Sequence, residues 1–560
     1  MLSKLNKQPI TKKLINGILF LTIPLSAACS AAPGASSKNS RVAAPSTTGA
    51  ALWAEYQRDP NRHPLIPNCS YAGYRYSEKQ LPEPKAVTNV RDFGALGDGK
   101  HDDLLAFQAA IDKASSLGGG AILVPEGTYR LTGMVRLNRS HLVLRGAGTE
   151  KTLLYFERPL SEILGARLNT PTPPSTYITS EYSWLGGLIH VGVKSDFDSH
   201  GKRDPKSGYA ESWAVGSKLA NVTKPAKRGD TLVEIATLGK HRFKPGEFVF
   251  LNWKSPGDHS LLVYMAGGGL MERFPWETKG SSLLRDSWSW PVEIAKADAH
   301  HLWLRQPLRV DIRPEWQVSV KEMGPHVEEI GIEHLAIQMK EHPVDPHNQE
   351  KGFNAIYFTK AINSWVRDVT LDTVDDGVVF RAAKNCTVTG LTIKGTRAHH
   401  HGTTAACGSH DNLFTDFKIQ SPLRHGINTE GFSTGNVWRN GSLAHGVFDS
   451  HKLMPFEFIR TNIEINSDGS PGGSATFGPR NGMHVVHWNI RLHGKSRWIY
   501  QPDDFSQSAL VGIQGAAPDF SPSSSTVNGD KGCVIADDNQ EPVPGDLFSA
   551  QLELRRRQKQ

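Results

Sequence analysis

Four short segments in the second half of the chain share a frame in which Asp or His precedes glycine. They are Asp375-Asp376-Gly377, His400-His401-Gly402, Arg424-His425-Gly426 and Ala444-His445-Gly446. Successive frames lie 25, 24 and 20 residues apart, which is typical of one coil of a solenoid. If each coil adds one strand, we predict that Asp376, His401, His425 and His445 stack on one face, about 4.8 Å apart.

The same part of the chain is rich in other titratable groups. Residues 394–460 contain seven of the 23 histidines, and Arg424, His451 and Lys452 lie among them. Because a row of titratable side chains is poorly suited to a hydrophobic coil, we predict an open cleft. Two alternatives are a solvated face with incidental histidines and a zinc site. Neighbours at single-rung spacing do not by themselves provide the tetrahedral ligand set of zinc.

Acid and base chemistry on an acidic glycan fits this row of side chains, whose span of about 14 Å suits an oligosaccharide. Lytic cleavage of a uronate polymer needs a base for the C5 proton, an acid for the leaving oxygen and a cation against the carboxylate. We predict His425 as the base, His401 or His445 as the acid, and Arg424 with Lys452 as the cations. Since neighbouring residues of a strand point to opposite faces, Arg424 would point away from His425.

Other residues are predicted to contact the substrate. On the same coils these are Asp375, His400, Glu430, His451 and Lys452. Trp276 is one of six tryptophans between residues 253 and 316. Tryptophan faces stack on sugar rings, although packing in a core is their commoner role.

Repeated strands are the elements that would position these residues. One short apolar pattern recurs in Ile332–Ile337, Val366–Leu371, Val388–Ile393 and Phe414–Ile419. The last three are separated by 22 and then 26 residues. A solenoid with loops of variable length explains such intervals.

The start of the folded region has a different pattern. Asn89–Asp103 is rich in turn residues and ends in acids, and Leu104, Phe107, Ile111 and Ala114 then share one helical face. Gly118–Gly120 ends that helix, and Ala121–Tyr129 and Leu142–Gly148 are predicted as strands followed by turns.

This run of about 60 residues closely resembles the opening of the pectate-lyase-like, glycoside hydrolase family 28-related β-helix proteins (rhamnogalacturonase/epimerase-like pectate lyase domain). The resemblance implies an all-β, right-handed parallel β-helix with an N-terminal capping helix. It does not specify the reaction, because lyases, hydrolases and epimerases share this N-terminal segment. By analogy with many pectate lyases, Asp375 and Asp376 are a potential Ca²⁺ site.

The family resemblance keeps a hydrolase as the alternative. In family 28 glycosidases a paired-aspartate coil is followed by a Gly-His-Gly coil, and Asp375-Asp376 followed by His400-His401-Gly402 is similar. An inverting hydrolase needs one carboxylic acid and one carboxylate base. The preceding Asn-x-Asp of that family reads Asn354-Ala-Ile356 here, so Glu430 or Asp449 would have to replace its aspartate. A non-catalytic carbohydrate-binding protein is the third interpretation.

The N-terminus predicts export. A basic start, an apolar run from Leu14 to Leu25 and small residues before Cys29 are typical of a signal peptide over residues 1–28. Leu25–Cys29 resembles a bacterial lipoprotein signal, which leaves both membrane anchoring through a lipidated Cys29 and free export open. The destination is then the periplasm, the cell surface or the medium.

The remaining chain divides into five predicted segments. They are a tether and arm (29–85), N-terminal coils with the capping helix (86–177), an inserted β-rich subdomain (178–325), the main β-helix with the cleft (326–517) and a tail with a short helix (518–560).

Charge and cysteine content exclude two classes of protein. The formal charge is +7, but residues 1–28 contribute +4 and residues 553–560 contribute +3, so residues 29–552 are neutral. A general affinity for nucleic acid therefore has no support. Besides Cys29 the chain has four widely separated cysteines, which excludes a disulfide-dense scaffold.

Overall fold

The computed structural model describes residues 48–169, 177–194, 212–254, 256–279, 287–396, 399–466, 472–473, 478–493, 498–500, 506–515, 518–520 and 533–559. The predicted signal peptide and Cys29 lie outside these residues. Within them, no helix is long and apolar enough to cross a bilayer. The helices are Gly49–Arg58, Leu104–Ser116, Leu160–Ile163, Ser260–Met265, Trp276–Lys279 and Leu547–Lys559.

The chain forms a parallel β-helix, as predicted, and its strands are numbered in chain order. The first sheet pairs β1 (Ala86–Asn89), β3 (Gly120–Val124), β6 (Leu142–Gly146), β18 (Gly331–Met339), β20 (Trp365–Asp372), β22 (Thr387–Lys394), β24 (Leu413–Ile419), β26 (Val437–Leu443), β28 (Phe458–Asn466), β29 (Val485–His493), β31 (Ser508–Gln514) and β33 (Cys533–Ala536) in that order. Beside this path lie β2 (Asp98–Asp102), β4 (Gly127–Leu131) and β7 (Thr152–Phe156).

The second sheet carries most of the residues predicted to form the site. It pairs β5 (Val135–Leu137), β10 (Ile189–Val191), β19 (Ile356–Ile362), β21 (Asp376–Lys384), β23 (His399–Ala406), β25 (Leu423–Thr429) and β27 (Phe448–Asp449), with β17 (Val327–Glu328) beside β19. Two small pairs complete the strands: β8 (Leu168–Asn169) with β9 (Thr179–Ser180), and β30 (Trp498–Tyr500) with β32 (Pro518–Phe520).

The repeats identified in the sequence are in register. Val366 pairs with Val388, and Val388 pairs with Phe414, which confirms the predicted intervals. Inside the solenoid, residues at equivalent positions of successive coils contact one another: the ring centroids of Phe358 and Phe380 lie 5.2 Å apart, and those of Phe414 and Trp438 lie 4.8 Å apart. Burying such a column removes a large apolar area from water and stabilises the coils.

A closed six-stranded barrel lies within the predicted insertion. Its strands are β11 (Val215–Val222), β12 (Leu232–Thr237), β13 (Phe248–Lys254), β14 (Ser287–Ala297), β15 (His301–Leu304) and β16 (Ser319–Met323). The range predicted for the insertion also includes β10, which pairs with β5 and β19 in the solenoid. On the C-terminal side, β33 pairs with β31 and adds a further rung to the solenoid, although it lies in the range predicted as a tail.

Buried ion pairs join the barrel to the solenoid. Arg309, in the barrel segment, lies 2.5 Å from Asp411 and 2.9 Å from Glu457. The Lys384 Nζ is 2.5 Å from the other oxygen of Asp411, and Arg228 Nε is 2.5 Å from Glu457. Because each charge has a partner of opposite sign, the interface avoids the cost of an isolated buried ion.

The two ends of the described chain meet on the outer face of the first sheet. Leu52 and Tyr56 of the first helix and Leu547 and Phe548 of the last share one apolar cluster with that face. The backbone N–H of Gly49 donates to Asp537 at 2.8 Å. Further along the arm, Pro67 and Cys69 are hydrogen-bonded to the Gln551 side chain, and Glu78 is ion-paired with Arg555.

Candidate active site

The second sheet and one loop form the candidate site. Parallel strands present equivalent ends along one edge, and the starts of β21, β23 and β25 bring Asp376, His401 and His425 together. The loop 340–355 between β18 and β19 adds His347.

The predicted register is found between β21 and β23 but not between β23 and β25. Asp376 pairs with His401, but His401 pairs with Gly426 rather than His425, at an irregularity in the ladder. Gly426 has φ +69°, and a Cβ there would lie 2.2 Å from the Val447 carbonyl oxygen, so glycine is required. The rings of His401 and His425 nevertheless stack, with centroids 5.0 Å apart, so the predicted stack reaches His425 and was wrong only for His445.

His445 lies away from the cluster as a result. Its side chain is exposed, and on this rung β27 pairs Asn428 with Asp449. A buried carboxylate thus lies where a histidine was predicted, and the predicted position of His445 in the stack was wrong.

Asp449 is the centre of the site. Its Oδ2 lies 3.0 Å from His425 Nδ1, 3.6 Å from His401 Nε2 and 3.5 Å from His451 Nδ1. The residue is fully buried. Burial alone would raise the pKa of this carboxyl, but its hydrogen bonds with the three histidines hold the pKa well below its usual value.

His401 lies between two carboxylates. Its Nδ1 is 3.3 Å from Asp376 Oδ1, and its Nε2 faces Asp449. Burial opposes a charge on the ring, but hydrogen bonds with both carboxylates raise the pKa of His401 to about 10. The ring is therefore an imidazolium at neutral pH. Burial raises the pKa of the Asp376 carboxyl.

His425 and His347 face one another through Nε2 atoms 2.8 Å apart. Burial lowers the pKa of His425 despite the adjacent Asp449. Burial, together with the neighbouring His425 ring and Arg424, lowers the pKa of His347 to about 4. Both rings are neutral near pH 7, and because Asp449 attracts the Nδ1 proton of His425, the lone pair of that ring is at Nε2.

His400 is the third neutral ring. Its Nδ1 donates a short hydrogen bond to the Ser183 carbonyl oxygen, and its ring centroid lies 4.7 Å from that of His425. Burial lowers the pKa of His400 well below its usual value. Nearby, the Ser183 hydroxyl donates to Glu350 at 2.5 Å. Burial and the charges of the two neighbouring aspartates raise the pKa of Glu350 to about 7.

Asp375 holds the loop in place. The backbone N–H groups of Gly352 and Phe353 donate to its Oδ2 at 3.2 and 2.8 Å, and His342 Nε2 lies 3.5 Å from its Oδ1. Among the described residues, Asp375 and Asp376 belong to different groups of close ligand atoms. The geometry therefore does not favour the calcium site predicted on these two carboxylates.

The other predicted residues lie at varying distances from the centre. Arg424 is exposed, in keeping with the alternation of its strand, and Lys452 is half-buried at φ +75°. Glu430 is buried and lies 3.8 Å from Arg381. Trp276 packs in the barrel core and donates to the Met271 carbonyl oxygen at 2.8 Å, so the prediction that it stacks on a sugar was wrong.

Two central residues did not follow from the repeats. His347 belongs to Asp345-Pro346-His347, in a loop that has no counterpart in the other coils. Asp449 follows the fourth frame by three residues and was considered only as a substitute acid. Neither residue occupies the repeated position. The sign of them in the sequence was the high density of titratable residues around the site.

Three comparisons relate parts of this chain to known proteins. Residues 87–162 match the model of the family described as Rhamnogalacturonase A/epimerase, pectate lyase-like, which confirms the resemblance of the opening segment. Alginate lyase 7 of Azotobacter vinelandii is 30% identical over 166 residues, covering 28% of this chain and 18% of that protein. Mannuronan C5-epimerase AlgE5 of the same organism is 34% identical over 171 residues, covering 28% of this chain and 15% of that protein.

The chain thus spans less than a fifth of the length of these two curated relatives. Among solved structures, the tailspike protein gp49 of Pseudomonas phage LKA1 aligns with a TM-score of 0.43 and 13% identity, covering 81% of this chain and 77% of that one.

Proposed function

We propose that this protein removes the C5 proton from a uronate-containing polysaccharide and cleaves the chain by β-elimination. The observation that carries the proposal is the set Asp449, His425 and His347. A buried carboxylate fixes the tautomer of an imidazole, and the basic nitrogen of that imidazole faces a second, half-buried imidazole. An oriented neutral histidine is a suitable base near neutral pH.

In the proposed reaction His425 Nε2 takes the proton from C5. The electron pair of the C5–H bond forms the C4–C5 double bond, and the bond from C4 to the glycosidic oxygen breaks. The leaving oxygen needs a proton. The proton that His425 has taken lies between His425 and His347, and this pair passes it to that oxygen. His401 is not suited to that step, because two carboxylates hold its proton.

The substrate carboxylate requires a nearby cation, since its charge increases as the C5 proton leaves. Arg424 is exposed but close enough for its charge to lower the pKa of His347. We assign it this role together with Lys452. His451 lies 34% exposed at the rim of the cluster and would contact the sugar.

The names of the relatives support an acidic polysaccharide as the substrate, because they refer to alginate and mannuronan. They also favour a second candidate, C5 epimerisation. Elimination and epimerisation both begin with loss of the proton next to the carboxylate. In the second case the proton returns to the opposite face and the chain stays intact.

A family-28-like hydrolase is less well supported. It would need Asp375 and Asp376 as acid and base, but Asp375 is engaged by two backbone N–H groups and Asp376 by His401. A protein that only binds carbohydrate would not need a neutral histidine oriented by a buried carboxylate.

Incubation with a panel of uronate polymers in D₂O tests the proposal. Elimination produces new ultraviolet absorbance and new chain ends, whereas epimerisation produces deuterium at C5 without new ends. His425→Gln should lower kcat/KM by at least about 100-fold, the usual contribution of a general base. His445→Gln, at an exposed position, should leave it unchanged.

New reducing ends without ultraviolet absorbance would favour the hydrolase. Retention of the polymer on a gel with no reaction would favour a binding protein, and full activity of His425→Gln would contradict the assignment of the base.

We also propose that the mature chain is exported, on the basis of its N-terminal residues. The substrate would then be met outside the cytoplasm, in the periplasm, at the cell surface or in the medium.

A further inference from the structure

His347, His400 and His425 form a cluster that the proposed mechanism uses only in part. One ring nitrogen from each lies within 4.8 Å of the other two. They come from three separate elements, the loop 340–355, β23 and β25. Ligands from separate elements surround a point more fully than side chains stacked on one face.

The second ring nitrogen of two of these histidines is already engaged. Nδ1 of His425 faces Asp449, and Nδ1 of His400 donates to the Ser183 carbonyl oxygen. Metal-binding histidines typically give their other N–H to a carboxylate or a backbone carbonyl, which directs the remaining lone pair to the metal. Here that pattern leaves Nε2 of both rings available.

The contact between His347 and His425 also fits a metal site. Their Nε2 atoms lie 2.8 Å apart, whereas nitrogens that share a tetrahedral Zn²⁺ at its usual bond length lie about 3.3 Å apart. A shift of about 0.5 Å in the loop, a small change for a surface segment, would therefore admit an ion.

The neighbouring group of His401, His425 and Asp449 is less suitable. Both nitrogens of His401 face carboxylates, so both are already engaged. His347, His400 and His425 are thus the better ligand set, and imidazole ligands favour Zn²⁺ and its neighbours over Ca²⁺.

We propose that His347, His400 and His425 bind a divalent transition-metal ion of the Zn²⁺ class, which inhibits the enzyme. The ion would occupy Nε2 of His425, the lone pair that abstracts the proton in the proposed function. A fourth coordination position would face solvent, since the His425 side chain is 13% exposed. The inhibitory role rests on the proposed function, whereas the binding site does not.

Co²⁺ is the probe for the test, because it replaces Zn²⁺ and absorbs visible light. The full chain, first treated with chelator, is titrated with Co²⁺ without substrate. We expect saturable absorption at one ion per chain, and its loss when Zn²⁺ is added. Zn²⁺ should also stop activity on uronate polymers, and chelator should restore it.

Two matched variants complete the experiment. His347→Gln removes a ligand from a half-buried loop and should weaken Co²⁺ binding by more than the ~10–100-fold that loss of a supporting contact costs. His445→Gln should bind Co²⁺ as the wild type does, and equal melting temperatures show that both variants are folded.

Absence of saturable absorption, or equal affinity in His347→Gln and the wild type, would overturn the site. Unchanged activity at saturating Zn²⁺ would overturn the inhibition. A protein that binds Co²⁺ but acts on no polymer would retain this site and lose the proposed function.

Discussion

At the scale of single residues, one carboxylate accounts for most of the site's properties. Asp449 contacts three histidines, yet their protonation differs: His401 is charged because a second carboxylate, Asp376, also faces it, whereas burial keeps His425 neutral. A charged ring and a basic ring can therefore lie side by side at the same pH. This separation allows one histidine to be structural while its neighbour remains available for chemistry.

The charge on His401 predicts a pH dependence of stability. Its pKa is about 10 in the folded protein and about 6.5 in the unfolded chain. Its ion pairs should therefore stabilise the fold fully below about pH 6.5, and lose that contribution, by at most about 1.4 kcal/mol per pH unit, as the pH rises through the folded value.

Urea unfolding at pH values between about 6.5 and 10 measures this effect. The difference in unfolding free energy between the wild type and His401→Gln should shrink as the pH rises. A difference that stays constant over the range would show that His401 is uncharged in the folded protein.

At the scale of elements, the accuracy of the sequence-based prediction depended on whether a strand keeps its repeat. Val366, Val388 and Phe414 align because each fills the same inward position on successive coils. The frame around Gly426 looks identical in sequence, but the pairing there is irregular, and the stack of rings that includes His401 and His425 does not continue to His445. His347 was missed because loop residues follow no repeat, and only the folded contacts reveal them.

The buried ion pairs between barrel and solenoid predict that one conservative substitution lowers the free energy of unfolding strongly. Asp411→Asn keeps the size of the side chain and tolerates the local φ of +56°. It leaves Lys384 buried without its carboxylate and removes one of the two carboxylates of Arg309. We expect a loss of about 3–5 kcal/mol in unfolding free energy.

The control for this variant is Glu464→Gln, which removes the exposed pair with Arg491 at 3.0 Å. It should cost no more than about 1 kcal/mol. Equal midpoints of thermal unfolding for the two variants would mean that the buried pairs do not hold the barrel to the solenoid.

At the scale of the whole molecule, both terminal helices cover one face of the first sheet. The last helix contributes Leu547 and Phe548 to the cluster that includes Val437, Ile459 and Trp488. That face would present a continuous apolar patch without its cover, and such patches promote association. The capping of this face is therefore as important to the fold as the capping of the first coil.

Deletion of residues 547–560 tests this cover. We expect the shortened protein to aggregate or to bind a hydrophobic dye, as measured by light scattering and by dye fluorescence. Deletion of residues 557–560 alone keeps the buried Leu547, Phe548, Gln551 and Arg555 and should remain monodisperse. A soluble, dye-free protein after the longer deletion would contradict the role of the helix.

The meeting of the two ends also sets the order of events during synthesis. The arm near the start of the chain is held by Gln551 and Arg555, close to its end. The strands of the middle coils pair with those of neighbouring coils and can form as they emerge from the ribosome. The arm also contacts earlier coils, through the backbone of Gly73 with Asp411 and through Arg75 with Glu329, so its docking begins on the middle coils and is completed only after residues 551–555 have been made.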